Sequence, residues 1–150
     1  PKLLDGVDDF FALDPRGLGE GLYALDDPRV LYGHDYMAAG HAVMYGESLL
    51  GDRVRDVLAT LRLLAAEGME EARLVGSGQG ALLALLAGLL DPLVKQVSTR
   101  DCPESFLAIA TAPVTYLPAS CFPRGVLTAF DLPEVRAELT RKRVLTPLMG

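Results

Sequence analysis

Three glycines at alternate positions mark the stretch of this sequence that is best suited to chemistry. Gly76, Gly78 and Gly80 enclose Ser77 and Gln79, after a short apolar run and before a run rich in Ala and Leu. An apolar run that ends in a glycine cluster predicts a buried strand and a tight turn, and Ala and Leu favour a helix after it. Such a strand, turn and helix can present the nucleophile of a G-x-S-x-G elbow or bind a dinucleotide through G-x-G-x-x-G/A.

The turn matches the outline of both devices and completes neither. A nucleophile elbow has Ser in the middle of its five residues, where this sequence has Gly78. Ser77 is the candidate nucleophile, but it lies one position early, and neighbouring strand residues point in opposite directions. Gln79 is the candidate oxyanion donor, and the backbone N–H groups of Gly76, Gly78 and Gly80 form the candidate ligand or oxyanion loop. The alternative for all five residues is a tight turn that packs closely against a helix.

Residues outside the turn keep a dinucleotide-binding function open and argue against a metal site. Residues 76–81 also read G-x-G-x-x-A, and Asp101 closes the next predicted strand, near the place where an acidic residue would contact a ribose. His34 and His41 are seven positions apart, whereas helical metal ligands are typically four apart. The main prediction therefore includes no metal ion and no cofactor.

The elements that must position this turn alternate between strands and helices. Apolar runs predict strands at residues 10–13, 74–75, 94–99 and 144–148. Periodic segments predict helices at residues 35–50, 51–67, 81–90, 105–110 and 132–142. Asp35 and Asp131 are the predicted N-caps of the first and last helices, and Asp101 is a predicted strand-end turn. This alternation predicts one α/β domain with three layers, in which helices cover both faces of a mostly parallel sheet.

The helix at residues 51–67 has the clearest amphipathic pattern in the sequence. Val54, Val57 and Leu61 recur at helical spacing, which predicts a buried face. Arg53 is assigned to the opposite, exposed face together with the other charged residues of the segment.

Two motifs and the segments between them resemble a known superfamily. After the first predicted strand, residues 14–19 (DPRGLG) match the pattern D-x-R-G-x-G, and residues 76–80 (GSGQG) lie where a nucleophile elbow belongs. The intervening sequence at residues 32–36, 46–51 and 53–58 is similar to the acetyl xylan esterase-like branch of the α/β-hydrolases. The resemblance covers most of the chain and implies an α/β-hydrolase fold that deacetylates carbohydrate esters by a Ser-His-Asp mechanism.

The sequence departs from this resemblance at the catalytic positions. The superfamily order places the acid and the His after the nucleophile, but His34 and His41 both precede Gly78 and no His follows it. Glycine tolerates strained backbone, so Gly78 would keep the turn and remove the chemistry. The main prediction is a single hydrolase-like domain without hydrolytic activity, which forms the central and C-terminal portion of a larger domain. The alternative is an active esterase that other segments complete, with Ser77 as the nucleophile.

The composition restricts the partners of the chain. A net charge of −6 argues against nucleic acid and anionic membranes, and the longest apolar run, residues 81–90, is shorter than the roughly 20 residues that cross a bilayer. The predicted partners are a carbohydrate ester or another small molecule, and a strand of a second copy or of a longer parent chain at an exposed sheet edge. Cys102 and Cys121 are too few for a disulfide framework and are predicted to be free thiols. The chain begins with Pro1 rather than Met, which favours a processed chain or a piece of a longer one.

Overall fold

A β–α–β unit forms the centre of the molecule. The computed structural model describes residues 10–22, 35–115 and 117–146. Strand β1 (Ala72–Ser77) leads through one residue into helix α3 (Gln79–Leu90), and the chain returns as strand β2 (Val94–Arg100). The two strands are parallel neighbours, and the register places Leu74 opposite Val97. The predicted strand, turn and helix around the glycine cluster are confirmed.

Four further helices surround this unit. They are α1 (Tyr36–Met44), α2 (Leu49–Ala66), α4 (Phe106–Thr111) and α5 (Leu132–Arg141). Short 3-10 turns occur at Gly19–Gly21, Ala119–Cys121 and Val126–Thr128. None of the helices that the structure describes is long and apolar enough to cross a lipid bilayer.

Helix α3 lies at the centre of the hydrophobic core. It is apolar on every side, and a helix of this kind must be buried on every side. It packs against both strands and against α2 and α5. At Gly88, a Cβ atom would lie 2.4 Å from Cγ2 of Val97, so the absence of a side chain allows α3 to lie close to β2.

The α/β class is confirmed, and the described sheet consists of β1 and β2. A parallel bridge extends it on the β2 side, where the amide of Val97 donates to the Val144 carbonyl (2.8 Å) and the amide of Thr146 donates to the Val97 carbonyl (2.9 Å). This bridge lies within the predicted last strand, of which residues 147 and 148 are outside the described part. The prediction of a larger, mostly parallel sheet with helices on both faces is not confirmed by these two strands and stays a prediction.

The predicted strand at residues 10–13 is wrong. The segment has no regular secondary structure, and the side chains of Phe10 and Phe11 are 61 % and 58 % exposed. Hydrogen bonds to a neighbouring strand hold a β-strand in place, and no described strand pairs with this segment. The apolar composition was therefore not sufficient for a strand at this position.

The predicted helix at residues 35–50 is divided in two. Helix α1 ends at Met44, and Gly46 then adopts a positive φ of 74°. Ser48 caps the following helix, because its Oγ accepts a hydrogen bond from the amide of Gly51 (3.3 Å). Helix α2 ends where it was predicted to end, before Gly68 with a φ of 101°.

Asp131 connects the two helices nearest the C-terminus. It caps α5 as predicted, and its backbone amide in turn donates to the Glu134 carboxylate (3.0 Å) in a capping box. The Asp131 carboxylate also accepts hydrogen bonds from the Phe106 amide (2.5 Å) and the Leu107 amide (3.3 Å) at the start of α4. One side chain therefore satisfies backbone donors of two helices.

Candidate functional site

Gly78 makes the whole change of direction between β1 and α3. It has φ 56° and ψ −118°, a conformation that residues with a side chain rarely adopt. Its amide donates to the carbonyl of Arg100 at the end of β2 (3.0 Å). Of the predicted loop donors, Gly76 lies within β1 and pairs with β2, so Gly80 remains as a candidate. The N–H group of Gln79 joins it, because the first N–H groups of a helix have no intrahelical acceptor.

The glycines at 76 and 78 are required for different reasons. A Cβ atom at Gly76 would lie 2.2 Å from the carbonyl oxygen of Gly80, so β1 and α3 pack backbone against backbone. A Cβ atom at Gly78 would meet nothing within 4 Å. Position 76 therefore needs glycine for space, and position 78 needs it for backbone conformation while leaving room for a side chain.

Ser77 points away from the turn and contacts Asp101. The Ser77 hydroxyl donates to Asp101 Oδ2 over 3.2 Å, and both residues are exposed at the carboxyl ends of their strands. Asp101 ends β2 with a positive φ of 49°, which confirms the predicted strand-end turn. His41 lies exposed on α1, and His34 lies outside the described residues. In the described part of the chain, no imidazole hydrogen-bonds to Ser77 or Asp101.

The side chain of Gln79 accepts a hydrogen bond from a buried arginine. Arg53 Nη1 donates to Gln79 Oε1 over 3.0 Å, and Arg53 is only 1 % exposed. The prediction that Arg53 lies on the exposed face of its helix is therefore wrong. The helical spacing could have indicated this, because Arg53 follows Leu50 by three positions and precedes Val57 by four. The side-chain carbonyl oxygen of Gln79 is therefore the acceptor for Arg53.

Arg53, Asp35, Gln79 and Ser120 form a cluster that we call the Arg53 cluster. Arg53 Nη1 also lies 3.0 Å from Asp35 Oδ2 and 3.0 Å from Ser120 Oγ, so its two hydrogens are shared among three acceptors. Ser120 donates a short hydrogen bond to Asp35 Oδ2. The cluster joins α2, the start of α1, the start of α3 and the 3-10 turn at Ala119–Cys121. A guanidinium with several fixed donors suits such a junction better than a single ammonium.

Asp35 has a different role from the N-cap that was predicted. Its side chain makes no capping hydrogen bond, and the residue is 4 % exposed in an ion pair with Arg53. Its Oδ1 atom has no hydrogen-bond partner among the residues described. Asp35 therefore depends on Arg53 and Ser120 to compensate its buried charge.

Hydrogen bonds join the D-x-R-G-x-G loop to α2 on a buried side and on an exposed side. Arg53 Nε donates to the carbonyl of Arg16 (3.0 Å) on the buried side. On the exposed side, Arg16 Nε and Nη2 contact the two oxygens of Asp56 at 2.9 and 2.6 Å. The Arg16 guanidinium beside Asp56 holds the pKa of that carboxyl below its usual range. Asp14 closes the loop by accepting a hydrogen bond from the Glu20 amide (2.9 Å).

Both cysteines are free thiols, as predicted. Burial raises the pKa of Cys121 to about 11. Burial also raises the pKa of Cys102, although Arg136 Nη2 lies 3.1 Å from its Sγ atom and acts in the opposite direction. A thiol is nucleophilic as its thiolate, so neither environment favours reactivity.

Comparison of the chain with protein-family models, with curated proteins and with solved structures gives no match. In residues 10–22, 35–115 and 117–146, no group of three or more His, Cys, Asp and Glu side chains is arranged to hold a metal ion. The chemistry of the candidate site therefore has to be argued from the glycine turn, the Ser77–Asp101 pair and the Arg53 cluster.

Proposed function

We propose that this chain is an α/β-hydrolase-like domain that keeps the backbone of a nucleophile elbow and does not hydrolyse esters. The observation that supports this is Gly78, which lies at φ 56° and ψ −118° between a strand and a helix. An elbow is a sharp strand-to-helix turn that exposes the nucleophile, and open space surrounds the missing side chain at this position. Without a hydroxyl there, no acyl-enzyme can form at the turn.

The proposed ligand is a carbohydrate ester or a related small molecule with a carbonyl oxygen. The N–H groups of Gln79 and Gly80 open α3, where the helix dipole favours a partial negative charge. The Arg53 cluster holds the side chain of Gln79 in place and thereby supports the first turn of α3. The finer assignment, to a three-layer fold of the acetyl xylan esterase type, belongs to the same proposal.

Hydrolysis of p-nitrophenyl acetate tests the proposal. We expect the release of p-nitrophenol to proceed at the buffer rate, with no difference between the wild type and a Ser77→Ala variant. A faster rate that Ser77→Ala abolishes would refute the absence of hydrolytic activity. Asp101→Ala serves as the second variant, because it removes the carboxylate that accepts the hydrogen bond from the Ser77 hydroxyl.

The hydrogen bond between Ser77 and Asp101 favours a second candidate, an active esterase with Ser77 as its nucleophile. The hydroxyl is exposed and has a carboxylate 3.2 Å away. A serine triad places an imidazole between these two groups, and this pair is in direct contact. Covalent labelling of Ser77 by a fluorophosphonate would support this candidate, and failure to label native protein at millimolar reagent would dismiss it.

The position of Asp101 favours a third candidate, a dinucleotide-binding domain. It lies at the carboxyl end of β2, next to β1 and the glycine turn, which is where an acidic residue contacts a ribose in G-x-G-x-x-G domains. A ligand at 100 times its Kd stabilises a protein by about 2.7 kcal/mol. The absence of a thermal shift with NAD or NADP at millimolar concentration would dismiss this candidate.

A further inference from the structure

A long groove runs beside the outer edge of β1. Its volume is about 760 Å³, and its walls are residues 72–75 of β1 and residues 10–15 near the start of the described chain. Helix α2 forms the floor through Val57, Leu61 and Leu64. We call this feature the edge groove. No hydrogen bond joins its two walls within the described residues, so the groove separates the edge of β1 from the segment at residues 10–15.

The wall formed by β1 presents backbone groups that no strand of residues 10–22, 35–115 and 117–146 pairs with. The amide of Ala72 donates to Leu93 and the amide of Gly78 donates to Arg100, so the even-numbered residues of β1 face β2. N–H and C=O groups alternate between the two edges of a strand, so Arg73, Val75 and Ser77 direct theirs to the groove. No strand in the described part of the chain pairs with this edge. An unpaired edge is a template for another strand.

The dimensions of the groove fit one short strand. A rise of about 3.3 Å per residue, a spacing of about 4.8 Å between strands and a thickness of about 10 Å give roughly 800 Å³ for five residues. The groove has about the same volume, 760 Å³. A second copy of this chain would also carry a net charge of −6, which disfavours it beside the carboxylates that line the groove. A single strand of another polypeptide fits the volume without this repulsion.

The side chains around the groove define the chemistry of this strand. The floor is apolar, so alternate residues of the occupant must be apolar. Glu67 and Glu71 line the groove near the start of β1. Asp14 also lines it, in the loop that Arg53 holds close to Gln79 and hence to the end of β1. Among the described residues that line the groove, Arg73 is the one cation, so three carboxylates outnumber it in a chain with a net charge of −6. The carboxylates lie toward both ends of the groove and favour basic residues at the ends of the occupant.

We propose that the edge groove binds one extended strand of a partner polypeptide by β-strand addition to β1. The partner strand is apolar on the side that faces α2 and basic at both ends. In this mode of recognition the backbone hydrogen bonds supply affinity, and the alternate side chains supply specificity. The proposal does not depend on the chemistry of the glycine turn.

A labelled seven-residue peptide, Lys-Val-Thr-Val-Thr-Val-Lys, provides the test by fluorescence anisotropy with the full chain. We expect saturable binding that weakens at least tenfold in Val75→Pro, because proline removes the central N–H group of the open edge and leaves the bonds to β2 intact. Val75→Thr is the matched control and should bind like the wild type. Binding should also weaken in the double variant Glu67→Gln, Glu71→Gln and at high salt.

A second peptide keeps the test decisive if Val75→Pro fails to fold. Methylation of the central valine nitrogen and of the preceding threonine nitrogen removes a donor toward β1 whichever way the peptide runs, because neighbouring N–H groups point to opposite edges of a strand. It does so without changing the protein, and we expect this peptide to lose binding as well. Equal binding of both peptides, or no saturable binding of the first, would overturn the proposal. A dimer in analytical ultracentrifugation that Val75→Pro dissociates would assign the groove to a second copy and would also overturn it.

Discussion

Replacement of Arg53 by methionine should destabilise the protein more than any change of a surface charge. Arg53 donates hydrogen bonds to Asp35, Gln79 and Ser120, and also to two carbonyls of the D-x-R-G-x-G loop. Arg53→Met fills a similar volume and removes all of these bonds. It leaves the carboxylate of Asp35 buried at 4 % exposure, with Ser120 as its remaining partner.

The expected loss follows from the burial of this pair. Removing one partner of a buried ion pair costs about 3–5 kcal/mol, because the other charge stays uncompensated. Domains of this size have a free energy of unfolding of roughly 5–15 kcal/mol, so the loss is a large fraction of the total. The double variant Arg53→Met, Asp35→Asn removes the orphaned charge as well. It should recover about 1–3 kcal/mol relative to the single variant.

Urea denaturation followed by circular dichroism measures these differences. With a slope of about 1–3 kcal/mol per molar urea, Arg53→Met should shift the midpoint by roughly 2 M. Arg55→Met is the matched control, because Arg55 is exposed on the same helix and pairs with Asp52 at i,i+3. Asp52 is buried but keeps Arg16 Nη1 at 3.7 Å when Arg55 is replaced, so the cost should stay near the roughly 0.5 kcal/mol of an exposed helix pair. If Arg53→Met costs no more than Arg55→Met, the Arg53 cluster does not hold the structure together as described.

Three further predictions concern the glycine turn, one carboxylate and the thiols. Gly78→Ala should cost about 1–2 kcal/mol of stability through backbone strain. Gly76→Ala should cost at least twice as much, because its Cβ would lie 2.2 Å from a backbone oxygen. Equal decreases in melting temperature would contradict the packing of β1 on α3. Asp56 has a lowered pKa in the folded state. Its contribution to the free energy of unfolding is therefore complete above the pKa of the unfolded chain, about 3.9, and is lost as the pH falls through the lowered pKa. Asp56→Asn should therefore reduce the denaturation midpoint at pH 7 and leave it unchanged at pH values below that pKa; a constant difference would argue against the pairing with Arg16. Cys121 should react with Ellman's reagent only after unfolding, and Cys102 slowly in the folded state, whereas rapid reaction of both at pH 8 would contradict their burial.

Local signals in the sequence predicted the centre of the fold correctly. The glycine cluster, the Ala- and Leu-rich run and the apolar strand residues each act over a few positions, and β1, α3 and β2 lie where they indicated. The same holds for the caps, because Asp131 and Gly68 act on neighbouring backbone groups. The resemblance to the α/β-hydrolases drew attention to Gly78, whose backbone conformation is the main support for the proposed function.

The features that the sequence did not predict depend on contacts between distant residues. The segment at residues 10–13 has the composition of a strand, but a strand needs a partner that composition does not specify. Arg53 was assigned to the exposed face by its charge, although its partners come from four other segments, up to 67 positions away. Asp35 was predicted to cap a helix because its short side chain suits a cap. Its buried partner, Arg53, lies 18 positions further along the chain. Charge predicts exposure only when no distant group of opposite charge is available.

The position of Asp131 makes α4 and α5 a single cooperative unit. Burial acts to raise the pKa of this carboxyl, but hydrogen bonds from three backbone amides outweigh it and hold the pKa below its usual range. Protonation would weaken the amino-terminal ends of both helices in the same event, so their amides should exchange with deuterium together rather than one helix at a time. The two helices have 6 and 10 residues, so an acid-induced opening of this region would release about one tenth of the chain as one foldon.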